Sequence, residues 1–540
     1  MLIRLRDLDL KMRCKKVALA LAVAGMVYGF LADGLQAGPF EEEGGSQSKP
    51  NIVFIFSDDH AYQAIGAYGS QINRTPNLDR LASQGMRFDR CLVTNSICGP
   101  ARAVILTGKY SHLNGFRQNG DKFNGSQQTF PKLMRSAGYQ TAVVGKWHLG
   151  SDPTGFDHWF VLPGQGNYYN PDFLTPNGRK QVSGYVTDVT TDHALKWLDD
   201  RNQDKPFMLM LQHKAPHRAW LPSKDHLQTF EKESITEPSN LLDDYSGRAE
   251  VLAENAMEVG KDMRPGFDLK LFPDPESDQA KRFFRRFTPE QKSDWIAAYK
   301  NRNDHYLKYR ESAKTDEQKR RLHYQYYIKD YLRCISSVDD NVGRVLDYLK
   351  QNSLEDNTIV IYSSDQGFYL GEHGWYDKRW IFEESLRTPL IIRWPGLTEP
   401  GSHTSQIVSN LDFPETFLDA AGIEIPADMQ GRSLKPILAG QHPSDWRQSF
   451  YYHYYELGTH NVAAHYGVVT ERYKLIHYYR KIDRENGRAK VNIDQWDLMD
   501  RLKDPNENMS FINDPLYEEA RAELKVELQR LRDELKVSSN

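Results

Sequence analysis

In Asn51-Ile52-Val53-Phe54-Ile55-Phe56-Ser57-Asp58-Asp59-His60 an apolar run breaks off into four polar residues. A half-exposed strand alternates apolar and polar side chains. A strand covered on both faces does not, and reads as this run does. Thr141-Ala142-Val143-Val144-Gly145 repeats the form and ends in Lys146-Trp147-His148. Phe207-Met208-Leu209-Met210-Leu211 ends in Gln212-His213-Lys214-Ala215-Pro216-His217, and Thr358-Ile359-Val360-Ile361-Tyr362 in Ser363-Ser364-Asp365-Gln366-Gly367. Four buried strands thus release polar groups at the same end, where sites form in open α/β sheets. Helical stretches at 75–84, 188–200 and 327–350 separate them. The expectation is an α/β fold, a three-layer helix–sheet–helix sandwich with a large mixed, mostly parallel sheet.

That domain is expected over 50–444. Residues 221–330, charged and tyrosine-rich, read as a mostly helical insertion, with a helix start at Pro289-Glu290-Gln291-Lys292. From 445 to 540 the pattern is that of a smaller α+β subdomain. Stretches 450–456, 464–470 and 473–479 read as an antiparallel sheet, and 516–536 as a closing helix. There are no internal repeats. Six basic residues from Arg4 to Lys16 precede an apolar run from Val17 to Leu31. This reads as a signal peptide over 1–37, cleaved near Ala37, followed by a linker over 38–49. A retained anchor is the other reading, though the run is short for a stable membrane span. Met12 is an alternative start. With a net charge of −4, no basic field points to nucleic acid. Cys91, Cys98 and Cys334 are too few for a disulfide framework, and whether Cys91 and Cys334 pair is left open.

Cys98 lies in Ser96-Ile97-Cys98-Gly99-Pro100-Ala101-Arg102, with Leu106-Thr107-Gly108 close behind. Pro100 suits a first helical position, which puts Cys98 at a helix N-terminus, near the positive end of the dipole. Arg102 can reach back toward it and offer a forked cation. Taken alone, Cys98 also reads as a buried free thiol. Adjacent Asp58 and Asp59 read alone as a solvated turn. Set beside Asp365 and Gln366 from a second strand end, they point to a bound cation, because like charges repel.

Cys98-x-Pro100-x-Arg102 with Leu106-Thr107-Gly108 resembles the signature of the type I sulfatases, and the resemblance covers about residues 50–507. It implies that Cys98 is converted to formylglycine by a formylglycine-generating enzyme during maturation. It implies metal ligation by Asp58, Asp59, Asp365, Gln366 and residue 98. An oxygen-only set suits Ca²⁺, and Mg²⁺ less well. The family's fourth ligand is more often Asn. Gly145-Lys146-Trp147-His148 and the last histidine of His213-Lys214-Ala215-Pro216-His217 match the family's catalytic motifs. So does Lys378 in Gly374-Trp375-Tyr376-Asp377-Lys378-Arg379.

The implied chemistry uses an aldehyde hydrate as nucleophile, whose second hydroxyl later expels sulfate. Arg102, Lys146 and Lys378 hold the sulfuryl oxygens, His217 protonates the leaving alcohol, and His148 takes a proton from the second hydroxyl. Stretches 150–157, 162–171 and 213–220 resemble the N-acetylglucosamine-6-sulfatase and mucin-desulfating group. That implies exo action on 6-sulfated N-acetylglucosamine in mucin, keratan or heparan sulfate. His213, Trp220, Arg379 and His465 are candidate sugar contacts. The signal peptide implies a secreted or periplasmic protein, or a lysosomal or extracellular one in a eukaryote. Two other readings stand: a phosphonate or phosphate monoester hydrolase of the same superfamily, and a catalytically silent, secreted glycan-binding protein on this scaffold.

Overall fold

The strand Asn51–Ser57 is buried along its whole length and lies between two parallel neighbours, Phe207–Gln212 and Thr358–Ser364. This is a computed structural model, and it describes residues 49–272, 274–484 and 488–538. The expected signal peptide, and the linker apart from Lys49, lie outside the described residues. Alternate side chains of the first strand enter different layers. Ile52, Phe54 and Phe56 pack with Ala103, Phe130, Phe413 and Phe417. Val53 and Ile55 pack in a second layer that contains Leu78, Val189, Val338 and Val342. Apolar residues are needed on both faces, which is why the strand shows no alternation in sequence.

The large sheet has ten strands. From one edge the order is Ser402–Thr404, Met86–Phe88, Leu390–Arg393, Thr358–Ser364, Asn51–Ser57, Phe207–Gln212, Gln140–Lys146, His158–Leu162, Asp172–Thr175 and Gly178–Gln181. Its five central strands, Thr358–Ser364 through His158–Leu162, run parallel. Antiparallel pairs lie toward both edges. The helices Val186–Asp200 and Asp316–Gln351 cover one face; Cys98–Thr107, Phe130–Ser136 and Asp412–Ala420 cover the other. The expected three-layer sandwich is the observed one.

A four-stranded antiparallel sheet follows: Ser449–Tyr454, Ala464–Thr470, Tyr473–Asp483 and Ala489–Asp500. The helix Glu518–Glu534 lays Leu524, Leu528 and Leu531 on one face of it. Tyr452, Tyr454, Ile476 and Tyr478 on the other face join the main core. The fourth strand was not expected. Its first half carries exposed Lys490, Asn492 and Asp494, because it pairs with Arg480–Asp483 as a ribbon beyond the core. Charged residues there hide the strand in the sequence.

Two other expectations shift. Residues 221–264 hold only two short 3₁₀ turns, and α-helix begins at Pro265. The insertion's expected end at 330 falls inside the helix Asp316–Gln351. Pro289 does open a helix, behind a Thr288–Gln291 capping box. Cys91 and Cys334 are both free and buried, in the two different core layers, so they do not pair. Among the described residues no helix is long and apolar enough to cross a membrane.

The Phe54 ring packs on Phe56, Phe413 and Phe417 at centroid distances of 5.0, 5.8 and 5.3 Å. Phe54→Ala is expected to cost about 3–5 kcal/mol by cavity formation, read as a lower denaturant midpoint at unchanged slope. A change below about 1 kcal/mol would contradict this packing.

Candidate functional site

Strand register brings the polar strand ends together. Ser57 pairs with Ser364, and Gln212 pairs with both Phe56 and Gly145. Residues 58–60, 146–148, 213–217 and 365–366 therefore leave the same edge of the sheet side by side. At Gly145, with φ +108°, a Cβ would lie 1.9 Å from the Gln212 carbonyl oxygen; only glycine lets these two strand ends close up. Just beyond the strands the backbone turns left-handed at Asp59 (φ 69°) and His148 (φ 55°), and at Asp377 (φ 81°) and Arg379 (φ 106°) on either side of Lys378. Non-glycine residues there cost energy, and such outliers gather at functional sites.

Cys98 is the first residue of the helix Cys98–Thr107, two places before Pro100. The sequence put Pro100 at the first position. The first helical N–H bond is from Ala101 to the Ile97 carbonyl, 3.0 Å, so Pro100 still forfeits no bond. Gly99 N–H donates to Asn119 Oδ1 at 3.1 Å. Burial, and then the charge of Asp58, pushes the Cys98 thiol well above its ordinary range. A neutral, fully buried thiol is a poor nucleophile.

Around it stand three buried carboxylates. Asp58, Asp59 and Asp365 bring oxygen atoms within 4.8 Å of one another, and Asp58, Cys98 and His217 form a second cluster of the same span. Each carboxylate has its own cation. Lys146 Nζ bonds Asp58. Lys378 Nζ bonds both Asp59 oxygens, at 2.6 and 2.8 Å. Arg102 meets Asp365 Oδ2 at 2.9 and 3.2 Å. Arg102 also bonds Gln212 Oε1 at 2.5 Å and the Lys146 carbonyl at 2.9 Å. Its fork is thus committed to protein oxygens and anchors Asp365. Burial pushes the Asp59 carboxyl up to about 6 against the pull of Lys378. Burial and the Asp58 charge push Asp365 up to about 7. Burial acts the same way on Asp58, but the charges of Lys146, Arg102 and Lys378 outweigh it and hold that carboxyl well below its ordinary range. Asp58 Oδ1 and Gln366 Oε1 are buried without hydrogen-bond partners. Two orphaned oxygens beside three crowded carboxylates fit a hard divalent cation.

His217 Nδ1 lies 2.6 Å from the Arg218 carbonyl, which can only accept, so Nδ1 carries the proton. Its Nε2 faces Asp59 Oδ2 at 3.8 Å. Burial, reinforced by Lys146, keeps His217 neutral, and the same two causes push His148 down to about 2. His148 Nδ1 is buried and unpartnered.

The candidate sugar contacts divide. Arg379 stands beside Lys378 and bonds Tyr454 Oη at 2.9 Å and Glu456 Oε1 at 3.1 Å. Trp220 does not offer a sugar a face: it is packed against Tyr327, Phe368 and Tyr376. His465 is enclosed by Trp380, Tyr452, Tyr454 and Tyr478. His213 lies in the interior with both ring nitrogens unpartnered, and burial pushes it down to about 3. Aromatic and histidine residues near a motif give no sign of which way they point.

Other neighbours went unread in the sequence. Gln165 accepts from Lys146 Nζ at 2.6 Å. Tyr331 donates to the Asp59 carbonyl at 2.7 Å. His460 Nε2 meets Asp377 Oδ2 at 3.1 Å. Lys214 sits over the Tyr168 ring at 4.7 Å, and burial with the nearby Lys146 pushes it down to about 8. Gln165 and Lys214 stand inside motif stretches; His460 and Tyr331 come from distant segments with no local signal.

Residues 50–423 match the sulfatase family model, and 371–534 match the C-terminal model of N-sulphoglucosamine sulphohydrolase. The chain is 44% identical over 511 residues to an N-acetylglucosamine-6-O-sulfatase of Bacteroides thetaiotaomicron, covering 93% of this chain and 88% of that one. It is similar, at 44% identity and a TM-score of 0.85, to a solved structure in complex with its substrate D-glucosamine-2-N,6-O-disulfate, covering 91% of this chain and 98% of that one. A phosphonate monoester hydrolase of Agrobacterium radiobacter shares the fold at 20% identity and a TM-score of 0.66, over 90% and 96% of the two chains. The chain belongs to the sulfatase family.

Cation binding at these carboxylates must displace the protons they hold. Asp59 and Asp365 release theirs near 6 and 7, against about 3.9 in an unfolded chain. In the metal-free protein these raised values contribute stability below about pH 4 that is lost as pH rises through about 7. The rise in melting temperature on adding Ca²⁺ is therefore expected to grow from pH 5 to 7 and level off above. A Ca²⁺ effect that is absent, or largest at pH 5, would contradict the site.

Proposed function

We propose, from membership of the sulfatase family, that this enzyme removes 6-O-sulfate from N-acetylglucosamine in glycans. It would do so with Cys98 as formylglycine and with a divalent cation, Ca²⁺, held by Asp58, Asp59, Asp365 and Gln366. One observation carries the reading: the reactive atoms of Cys98, Asp58 and His217 lie within 4.8 Å of one another, beside the three crowded carboxylates. Formylglycine would supply a hydroxyl nucleophile as its hydrate, and a cation held by these carboxylates would supply positive charge for the nucleophile and the sulfuryl group.

The chain's own residues do the rest. Lys146 and Lys378 are flexible cations bonded to the site's carboxylates, and both can turn from carboxylate to a sulfate oxygen. His217 presents an unprotonated Nε2 toward the site. A sulfate anion beside it raises its proton affinity, which suits it to carry a proton to a leaving alkoxide. The same anion would raise the proton affinity of His148, whose Nδ1 is unpartnered, and so suit it to accept one. Asp377, Arg379, Glu456 and His460 gather beyond Lys378, with carboxylate and guanidinium groups for sugar hydroxyls. Support for the sugar comes from the 44%-identical relative and from the substrate in the similar solved structure.

Cys98 is fully buried in the folded chain. A modifying enzyme therefore has to reach it before folding, which accords with export through the expected signal peptide to a secreted or periplasmic location. Peptide mass spectrometry of the protein from its native host is expected to find an aldehyde at residue 98. Turnover of N-acetylglucosamine-6-sulfate is expected, and Cys98→Ala should abolish it. His217→Ala is expected to lower kcat by about 10²–10⁴-fold. An unmodified thiol at residue 98 in fully active protein would sink the reading.

A further inference from the structure

We propose that a second, anion-binding sugar subsite adjoins the catalytic centre, in the cavity of about 310 Å³ lined by Phe267, Phe283, Phe287, Arg282, Arg285 and Arg286. It takes the next sugar of the same glycan chain, one that carries a sulfate or a carboxylate. The inference rests on the glycan-sulfatase reading above and extends it from one sugar to two.

The cavity shares two walls with the catalytic site. Tyr168 and Ala219 line it. Tyr168 Oη donates to the His217 carbonyl at 2.5 Å, and Ala219 follows Arg218, whose carbonyl accepts from His217 Nδ1. The cavity wall is therefore one hydrogen bond from the backbone of His217. Its chemistry fits an anionic sugar. Phe267 is 40% exposed, an open aromatic ring of the kind that packs on a sugar face. The guanidinium groups of Arg218 and Arg264 lie 5.5 and 4.2 Å from its centroid.

Charge bookkeeping around the cavity is uneven. Arg286 pairs with Asp172, Arg218 and Arg264 with Asp268, and Lys292 with Glu276. Arg282 and Arg285, both exposed on the cavity wall, have no ion-pair partner among the described residues. In a chain of net charge −4, two free guanidinium groups over an aromatic pocket favour an anion. Arginine forks match sulfate and carboxylate geometry.

The test uses full-length Cys98→Ala protein, which binds without turnover, and titration calorimetry. Its ligands are a heparin-derived tetrasaccharide and a keratan-type oligosaccharide of equal length with a single 6-O-sulfate at its terminal N-acetylglucosamine. Adding Arg282→Gln with Arg285→Gln is expected to weaken the heparin-type ligand about tenfold, the sum of two solvent-exposed ion pairs, and to flatten its salt dependence. Phe267→Ala is expected to weaken it several-fold. The keratan-type ligand should lose less than twofold in the double arginine variant, and kcat/KM for N-acetylglucosamine-6-sulfate in the Cys98 enzyme should not change. Unchanged heparin-type affinity, or an equal loss for both ligands, overturns the subsite. Turnover of the monosaccharide by unaltered enzyme tests the function separately. Were it absent while the calorimetric loss appeared, the desulfation reading would fail and the subsite would stand.

Discussion

Three carboxylates buried at one sheet edge, each matched by its own cation, are the constraint on which the rest depends. Removing one charge from water is costly, and an unpaired buried charge is costlier still. Asp58, Asp59 and Asp365 are tolerable together only because Lys146, Lys378 and Arg102 reach them from three separate segments. The parallel strands bring the acids together. The helix Cys98–Thr107, the strand Gln140–Lys146 and the turn at 377–379 bring the cations. Any of these segments out of place would leave a charge stranded, so the site and the sheet register hold each other.

The same arrangement separates two kinds of cation. Arg102 is bound on several sides, to Asp365, Gln212 and the Lys146 carbonyl. It behaves as part of the scaffold. Lys146 and Lys378 each end in a compact ammonium on a flexible stem, which can move between partners. A rigid fork fixes the acid, and on the proposed reading the mobile point charges would turn to an incoming anion. The residue types follow from that division of work.

The parts of this visible in sequence are those set by local pattern. Ile52–Phe56 reads as a buried strand because both its faces are covered. Asp58, Asp365, Lys146 and His217 could be grouped because each stands at the end of such a strand or within five residues beyond it. The fourth C-terminal strand stayed hidden because half of it pairs outside the core, where polar residues cost nothing. Trp220 and His465 were misplaced for a different reason. Composition says that an aromatic ring is present near a site, but the direction of the ring depends on Tyr327, Tyr376, Trp380 and Tyr478, which arrive from remote parts of the chain. Tyr331, on the long helix, and His460, in the C-terminal subdomain, touch the site region for the same non-local reason.

Burial also orders events in time. The thiol of Cys98 is enclosed by the carboxylates, lysines and histidine that make its position useful. The electrostatics that would serve a modified residue 98 make an unmodified thiol inert, because burial and Asp58 both disfavour the thiolate. Folding with an unmodified thiol would lock that inertness in, beyond the reach of any modifying enzyme. On the proposed reading, chemical maturation and closure of the sheet edge compete for the same residue, and activity would require the first to be complete before the second.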